Sequence, residues 1–273
     1  MAADPNVPVG DEDVLVAESV TLGYDARTVC RDVRVAIPRG SFTVILGPNA
    51  CGKSTLLRGM ARLLRPTAGR VVLDGRAILE MPSKELARRL GLLPQGAVVP
   101  EAITVGGLVA RGRFPHQSLL RQWSSADEIA VAGALQRTGM LEHVHRRLDE
   151  LSGGQRQRVW IAMVLAQQTE LLLLDEPTTY LDVSHQVEVL ELCRTLNRRE
   201  DKTIVAVLHD LNQAARYADH LVLMKDGAVV CTGSPTDVIT RDRVTEVFGL
   251  ACEVFPDPLT GSPMVVPLPP RDQ

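Results

Sequence analysis

Residues 47–55 read GPNACGKST, and of everything in this 273-residue chain that stretch restricts the fold most. It matches GxxxxGK[ST], in which glycines let the backbone curl its amides around phosphate oxygens and the lysine meets their charge. Such a loop needs a strand to deliver it and a helix to receive it, because the free amides of the helix N-terminus complete the anion cradle. Both are legible here. The apolar run 42–46 reads as a buried strand, and Leu57, Met60, Ala61 and Leu64 fall at i, i+3, i+4 and i+7, predicting a helix that ends at Pro66. Further along, residues 151–155 read LSGGQ, and Val159, Ala162, Met163 and Ala166 repeat the helical spacing. That places a pair of glycines at a helix start, against the positive end of its dipole.

The rest of the chain supplies strands around these loops. Segments 14–20 and 33–37 alternate as antiparallel strands do, and Pro38, Arg39 and Gly40 make the turn before the 42–46 run. Two continuous apolar runs, 171–174 and 203–208, end in Asp175 with Glu176 and in His209 with Asp210. Open parallel sheets bind ligands at the carboxyl ends of their strands, so these polar ends are candidates for one site. Residues 221–224 and 228–232 read as a hairpin about Lys225, Asp226 and Gly227. Helical stretches dominate from 96 to 150, including 126–140 entered through Trp123, Ser124 and Ser125. We therefore expect a mobile segment over 1–13, one domain over 14–255 with a helical lobe at about 96–165, and a tail over 256–273. The tail carries six prolines after Phe255 and is expected to be irregular.

Composition excludes several classes. A net charge of −3 provides no basic field for a phosphodiester backbone, so nucleic acid is not an expected partner. The five cysteines (Cys30, Cys51, Cys193, Cys231 and Cys252) are scattered and odd in number, which fits a reducing cytoplasm better than a disulfide framework or a zinc site. No apolar run approaches the roughly 18–20 residues needed to cross a bilayer, and the acidic N-terminus lacks a secretory core. Any membrane role would need another chain to span.

The candidate chemistry follows from residue type and place. Gly47, Pro48, Asn49, Ala50, Cys51, Gly52, Lys53, Ser54 and Thr55 form the phosphate loop, with Lys53 facing the β and γ phosphates and the Ser54 hydroxyl available to Mg²⁺. Asp175, after four leucines, can hold Mg²⁺ through its water shell, and Glu176 can orient and deprotonate an attacking water. Cys51 reads as a plain loop side chain with no redox role.

GPNACGKST, Gln95 in LLPQ, LSGGQ, LLLLDEP, Leu181 with Asp182, and His209 occur in the order found in ATP-binding cassette ATPases, which the chain resembles over nearly its whole length. The resemblance implies an α/β fold of the P-loop NTPase (RecA-like) kind, with an antiparallel β subdomain and an inserted helical subdomain, using ATP and Mg²⁺. By the same likeness Gln95 would join Ser54 and Asp175 around the metal and couple it to a transmembrane partner. His209 would contact the γ phosphate and steady the water. Ser152, Gly153, Gly154 and Gln155 would close over ATP held by a second copy of the chain, with Asp182 at the seam of a head-to-tail homodimer. Tyr24 occupies the position where the family places an aromatic ring on adenine; a Tyr after a strand can equally be surface packing. Ala50 departs from the family, which often has Gly there, and is expected to alter affinity without abolishing binding.

Within the family, GPNxCGKSTLLR, LVARGRFPHQ, TTYLDVSHQ and LHDLNQAARYADH look like the iron-siderophore importers, of which the ferric-enterobactin type is similar. That implies permease subunits as direct partners, a substrate-binding protein as an indirect one, and a peripheral place on the cytoplasmic face of the membrane. Haem and cobalamin importers share much of the pattern. Arg111, Arg113, Phe114 and His116, within 106–117, form either a permease-docking groove or a solvated basic loop. A cassette ATPase acting on DNA or ribosomes is the alternative from another class. The chain lacks the coiled-coil insertions or second cassette such proteins carry.

Overall fold

A computed structural model describes residues 12–25, 27–96, 102–118 and 123–269, which form two compact units. The first joins residues 12–80 to 203–269, and the second is Met81–Lys202. Of the segment expected to be mobile, residues 1–11 lie outside the described residues, while Asp13 already opens a strand.

In the first unit an antiparallel sheet has the order Arg27–Pro38, Asp13–Tyr24, Ala68–Leu73, Arg76–Ala77. Its long hairpin aligns Val16 with Ala36 and Val20 with Val33, so Leu15, Val20, Leu22, Val33 and Ile37 are buried. A second layer carries Phe42–Leu46 in parallel between Thr203–Val207 and His220–Lys225, with Ala228–Gly233 antiparallel at the outer side. Every residue of Phe42–Leu46 and of Thr203–Val207 is buried, as expected of parallel strands covered on both faces, which explains their unbroken apolar runs. Asp226 and Gly227, with φ of 47° and 80°, make the tight turn that a two-residue hairpin requires.

Two sequence expectations are corrected in this unit. The helix after the phosphate loop spans Lys53–Met60 and stops well before Pro66. Arg62 takes a left-handed φ of 59° and its guanidinium donates to the Ile78 carbonyl at 3.0 Å, so a tertiary anchor terminates the helix where periodicity alone would continue it. The described part of the tail, to residue 269, is regular and not irregular. Cys252–Pro256 pairs antiparallel with Pro263–Pro267, Pro256 opposite Pro263 and Pro267 opposite Cys252. A two-stranded ribbon has only edges, where a missing N–H costs little. The amide of Asn212, on helix Leu211–Tyr217, holds this hairpin by donating to the Val265 carbonyl at 3.2 Å and accepting its N–H at 2.7 Å.

The second unit pairs strands Leu90–Leu93 and Leu171–Asp175 in parallel. Around them lie helices Ser83–Ala87, Val105–Arg111, Ser125–Arg137, Gly153–Ala166 and Val183–Glu200. Val105–Arg111 and Ser125–Arg137 both pack on Gly153–Ala166, burying Leu108, Val109, Ala134, Leu135, Ile161 and Leu165. Ser124 and Asp127 cap Ser125–Arg137 reciprocally, so the polar entry expected from Trp123–Ser124–Ser125 is a capping box.

Candidate functional site

The first unit carries the candidate phosphate loop. Strand Phe42–Leu46 ends at Gly47, and helix Lys53–Met60 begins directly after Gly52, so the loop has no slack. Lys53 is buried, and its ammonium donates to the carbonyls of Gly47 at 2.8 Å and Pro48 at 2.9 Å, which aims it across the loop. Gly47 is glycine because of a close approach: a side-chain carbon there would lie 2.2 Å from the Met224 carbonyl oxygen. Ser54 is half-buried and Thr55 buried, while Asn49 and Ala50 are exposed. Ala50 adopts a left-handed φ of 61°, a conformation glycine reaches without strain.

Three residues that sequence reasoning passed over brace this loop from behind. The Gly227 N–H donates to the Cys51 carbonyl at 3.0 Å, and the Gly227 carbonyl accepts from the Arg31 N–H at 3.2 Å, tying loop, hairpin turn and antiparallel sheet together. The Cys30 thiol lies 3.5 Å from the Gly52 carbonyl oxygen. Burial, and then its neighbour Cys51, push the Cys30 thiol up to about 11, and burial likewise raises Cys51. Both stay protonated at neutral pH, in keeping with a structural role for Cys51. No motif signalled these contacts.

Tyr24 sits at the tip of the first hairpin, 42% exposed, with its phenol oxygen accepting from Arg58 Nη1 at 3.3 Å. A ring held at its rim and open on its surface is able to stack on a planar base. His209 follows the carboxyl end of Thr203–Val207 and is exposed, while Asp210 caps the next helix by accepting from the Gln213 N–H at 2.7 Å.

The second unit carries the candidate carboxylates. Asp175 ends strand Leu171–Asp175, buried, and Glu176 follows with a left-handed φ of 53° that turns its side chain out of the strand. Glu176 Oε2 accepts from Gln95 Nε2 at 2.7 Å and from Thr179 Oγ1 at 3.0 Å. The structure thus brings together Gln95 and Glu176, and adds Thr179, a residue of the TTYLDVSHQ segment to which the sequence assigned no role of its own.

LSGGQ opens helix Gly153–Ala166 through a capping box. The Ser152 hydroxyl accepts from the Gln155 N–H at 3.2 Å, and the Gln155 amide oxygen accepts from the Ser152 N–H at 3.1 Å. Gln155 Nε2 also lies 3.4 Å from His143 Nε2. Asp182 caps helix Val183–Glu200, its Oδ1 accepting from the His185 N–H at 2.9 Å, the Ser184 hydroxyl at 2.9 Å and His185 Nδ1 at 2.6 Å. The backbone N–H of His185, and then its ring, hold the Asp182 carboxyl down at about 2.

One member of the suggested docking groove is not available for docking. Arg113 is buried, donating from Nε to Asp127 at 2.8 Å and from Nη1 to the Ala166 carbonyl at 2.7 Å and Gln168 at 2.8 Å. It closes the C-terminal end of the LSGGQ helix, because a guanidinium can meet a carboxylate and free carbonyls together. Next to it Phe114 is 60% exposed and Arg111 is exposed, while His116 Nε2 meets the Gln167 carbonyl at 2.8 Å.

A family model described as ABC transporter matches residues 30–179. The chain is 54% identical over 254 residues to the ferric enterobactin transport ATP-binding protein FepC of Escherichia coli (strain K12), covering 93% of this chain and 94% of that protein. Among solved structures, an inward-facing metal-chelate type ABC transporter superposes with a TM-score of 0.81 at 28% identity, covering 94% of this chain and 98% of that one. The dimeric structure of MJ0796, a bacterial ABC transporter cassette, gives 0.72 at 28% identity over 81% of this chain and 98% of that one.

Proposed function

The chain belongs to the ABC transporter ATPases, and we propose that it energises ferric-siderophore import as one of two identical cassettes on the cytoplasmic side of a transmembrane permease. The observation that carries this reading is the 54% identity to the ferric enterobactin transport protein, sustained over 93% of the chain. No described helix is long and apolar enough to cross a membrane, which fits a chain that reaches the bilayer through a partner. A substrate-binding protein would meet the permease and not this chain.

The residues divide the chemistry. Lys53 and the first amides of helix Lys53–Met60 bind the phosphates, and Tyr24 stacks on adenine. Glu176, steered by Gln95 and Thr179, takes the proton of the attacking water, and His209 steadies that water against the γ phosphate. Ser54, Asp175 and Gln95 offer hard oxygen donors of the kind Mg²⁺ selects; the Gln95 NH₂ is committed to Glu176, which leaves its carbonyl oxygen for a cation. Mg²⁺ would neutralise charge on the phosphates. Ser152, Gly153, Gly154 and Gln155, with Asp182 beside them in the assembly, complete the site of the second copy, and the dimeric MJ0796 cassette supports that reading.

Cells lacking this protein test the cargo. Uptake of labelled ferric siderophore is expected to fail while haem and cobalamin uptake persist. Loss of haem or cobalamin uptake alone would reject the siderophore assignment.

A further inference from the structure

The two glycines of LSGGQ are not equivalent. Gly153 is exposed, and a side-chain carbon built on it meets nothing within 4 Å, so it leaves an open approach for a phosphate. Gly154 is buried, and the same carbon there would lie 2.4 Å from Cδ2 and 2.8 Å from Cγ of His185. The imidazole of His185 rests flush on the Gly154 backbone. It is not a loose side chain that could swing aside, because Nδ1 stands 2.6 Å from Asp182 Oδ1 and the backbone N–H of the same residue reaches that oxygen at 2.9 Å. A carboxylate only accepts, so Nδ1 carries the proton and donates. One helical turn further along both helices, Arg158 pairs with Glu188 and repeats the connection.

We propose that His185 is a positioning residue that locks Asp182 and the LSGGQ helix start into one body, and that the missing side chain of Gly154 is what makes room for this ring. The inference rests on the reading that LSGGQ and Asp182 complete the nucleotide site of a second copy. The lock makes those two elements arrive together: an error at either would displace the other, and an error of about 1 Å in such a group can cost on the order of a hundredfold in rate.

Steady-state ATP hydrolysis by the full-length protein, with trinitrophenyl-ATP binding measured on each variant, tests it. His185→Ala is expected to lower kcat by roughly tenfold to a hundredfold while KM and trinitrophenyl-ATP affinity stay at the parent values. His185→Asn, whose amide can still donate to Asp182, should recover most of that loss. Gly154→Ala should be worse than His185→Ala, and the double variant Gly154→Ala with His185→Ala should climb back to the level of His185→Ala, since the methyl then has room. Should Gly154→Ala alone fail to fold, recovery of nucleotide-binding protein on adding His185→Ala counts as the same rescue. Parent-like turnover in His185→Ala, or a double variant no better than Gly154→Ala, would overturn the proposal. Ser152→Ala separates the two layers: normal turnover in that variant would reject the role of LSGGQ itself, whereas a dead Ser152→Ala beside an unaffected His185→Ala rejects only the lock.

Discussion

Gln95 Nε2 and Glu176 Oε2 stand 2.7 Å apart, so the residue expected to sense the nucleotide holds the residue expected to activate water. The Thr179 hydroxyl reaches the same oxygen at 3.0 Å. Two donors converging on one carboxylate oxygen fix its direction. Preorganisation of this kind keeps the cost of orienting a base out of the chemical step.

Glu176→Gln is expected to lower ATP turnover by on the order of a hundred- to ten-thousandfold while ATP binding persists, because the amide is isosteric and cannot take the proton. Thr179→Val should lower kcat by roughly tenfold, the loss of one hydrogen bond to a charged group. Single-turnover hydrolysis measures both. Near-normal hydrolysis by Glu176→Gln would remove it as the general base.

Ala50 carries a strain that glycine would relieve. Its left-handed φ of 61° costs an L-residue about 1–2 kcal/mol, against about 0.5–1 kcal/mol for the extra chain entropy of glycine. Ala50→Gly should therefore raise the unfolding free energy by about 0.5–1 kcal/mol in urea titrations and keep ATP binding. A less stable variant would mean that the methyl makes compensating contacts.

Gly227→Ala should weaken nucleotide binding without touching a phosphate-loop residue. Its added carbon would lie 2.0 Å from the Val29 carbonyl oxygen, so the turn must move and the bond from its N–H to the Cys51 carbonyl must lengthen. Titration with trinitrophenyl-ATP should show Kd raised roughly tenfold, equivalent to about 1.4 kcal/mol. An unchanged Kd would show that the loop holds its shape unaided.

Arg113 and Phe114 are neighbours with opposite expected phenotypes. Arg113→Ala leaves the buried Asp127 carboxylate without its guanidinium and should destabilise the fold by about 3–5 kcal/mol. Phe114→Ala, on an exposed ring, should change stability by less than about 0.5 kcal/mol yet reduce transport with basal ATPase intact. Denaturant melts and an uptake assay on the two variants separate the roles.

His220 links stability to pH. Its Nε2 is buried with no hydrogen-bond partner among the described residues, and burial holds the imidazole below the usual value of 6.5. The folded state therefore resists the proton that the unfolded state accepts, and stability present above 6.5 declines as pH falls from there toward the lowered folded value. Urea midpoints compared between neutral pH and about pH 5.5 should drop more for the parent than for His220→Gln, whose side chain does not titrate in that range. Equal drops would assign the pH dependence to other groups.

Much of the fold was legible because its signals are local. Continuous apolar runs marked Phe42–Leu46, Leu171–Asp175 and Thr203–Val207, since parallel strands covered on both faces need apolar side chains on both. Periodicity misplaced the end of helix Lys53–Met60, because Arg62 is captured by the Ile78 carbonyl from another part of the chain. Proline count misled at the C-terminus, where the Asn212 amide holds a ribbon that composition alone disfavours. The position 106–117 carried no local clue that Arg113 turns inward and Phe114 outward.

The sequence by itself determined the chemical inventory of this protein and its order along the chain: a lysine in a glycine loop, carboxylates at strand ends, and a serine–glycine helix start. These are properties of short segments, governed by backbone geometry, helix amides and charge. Only the tertiary structure decided which group orients which. Thr179 and Gln95 on Glu176, Gly227 behind Cys51 and His185 against Gly154 each depend on bringing separate segments within hydrogen-bond or van der Waals distance, and short-range forces leave no trace in sequence spacing.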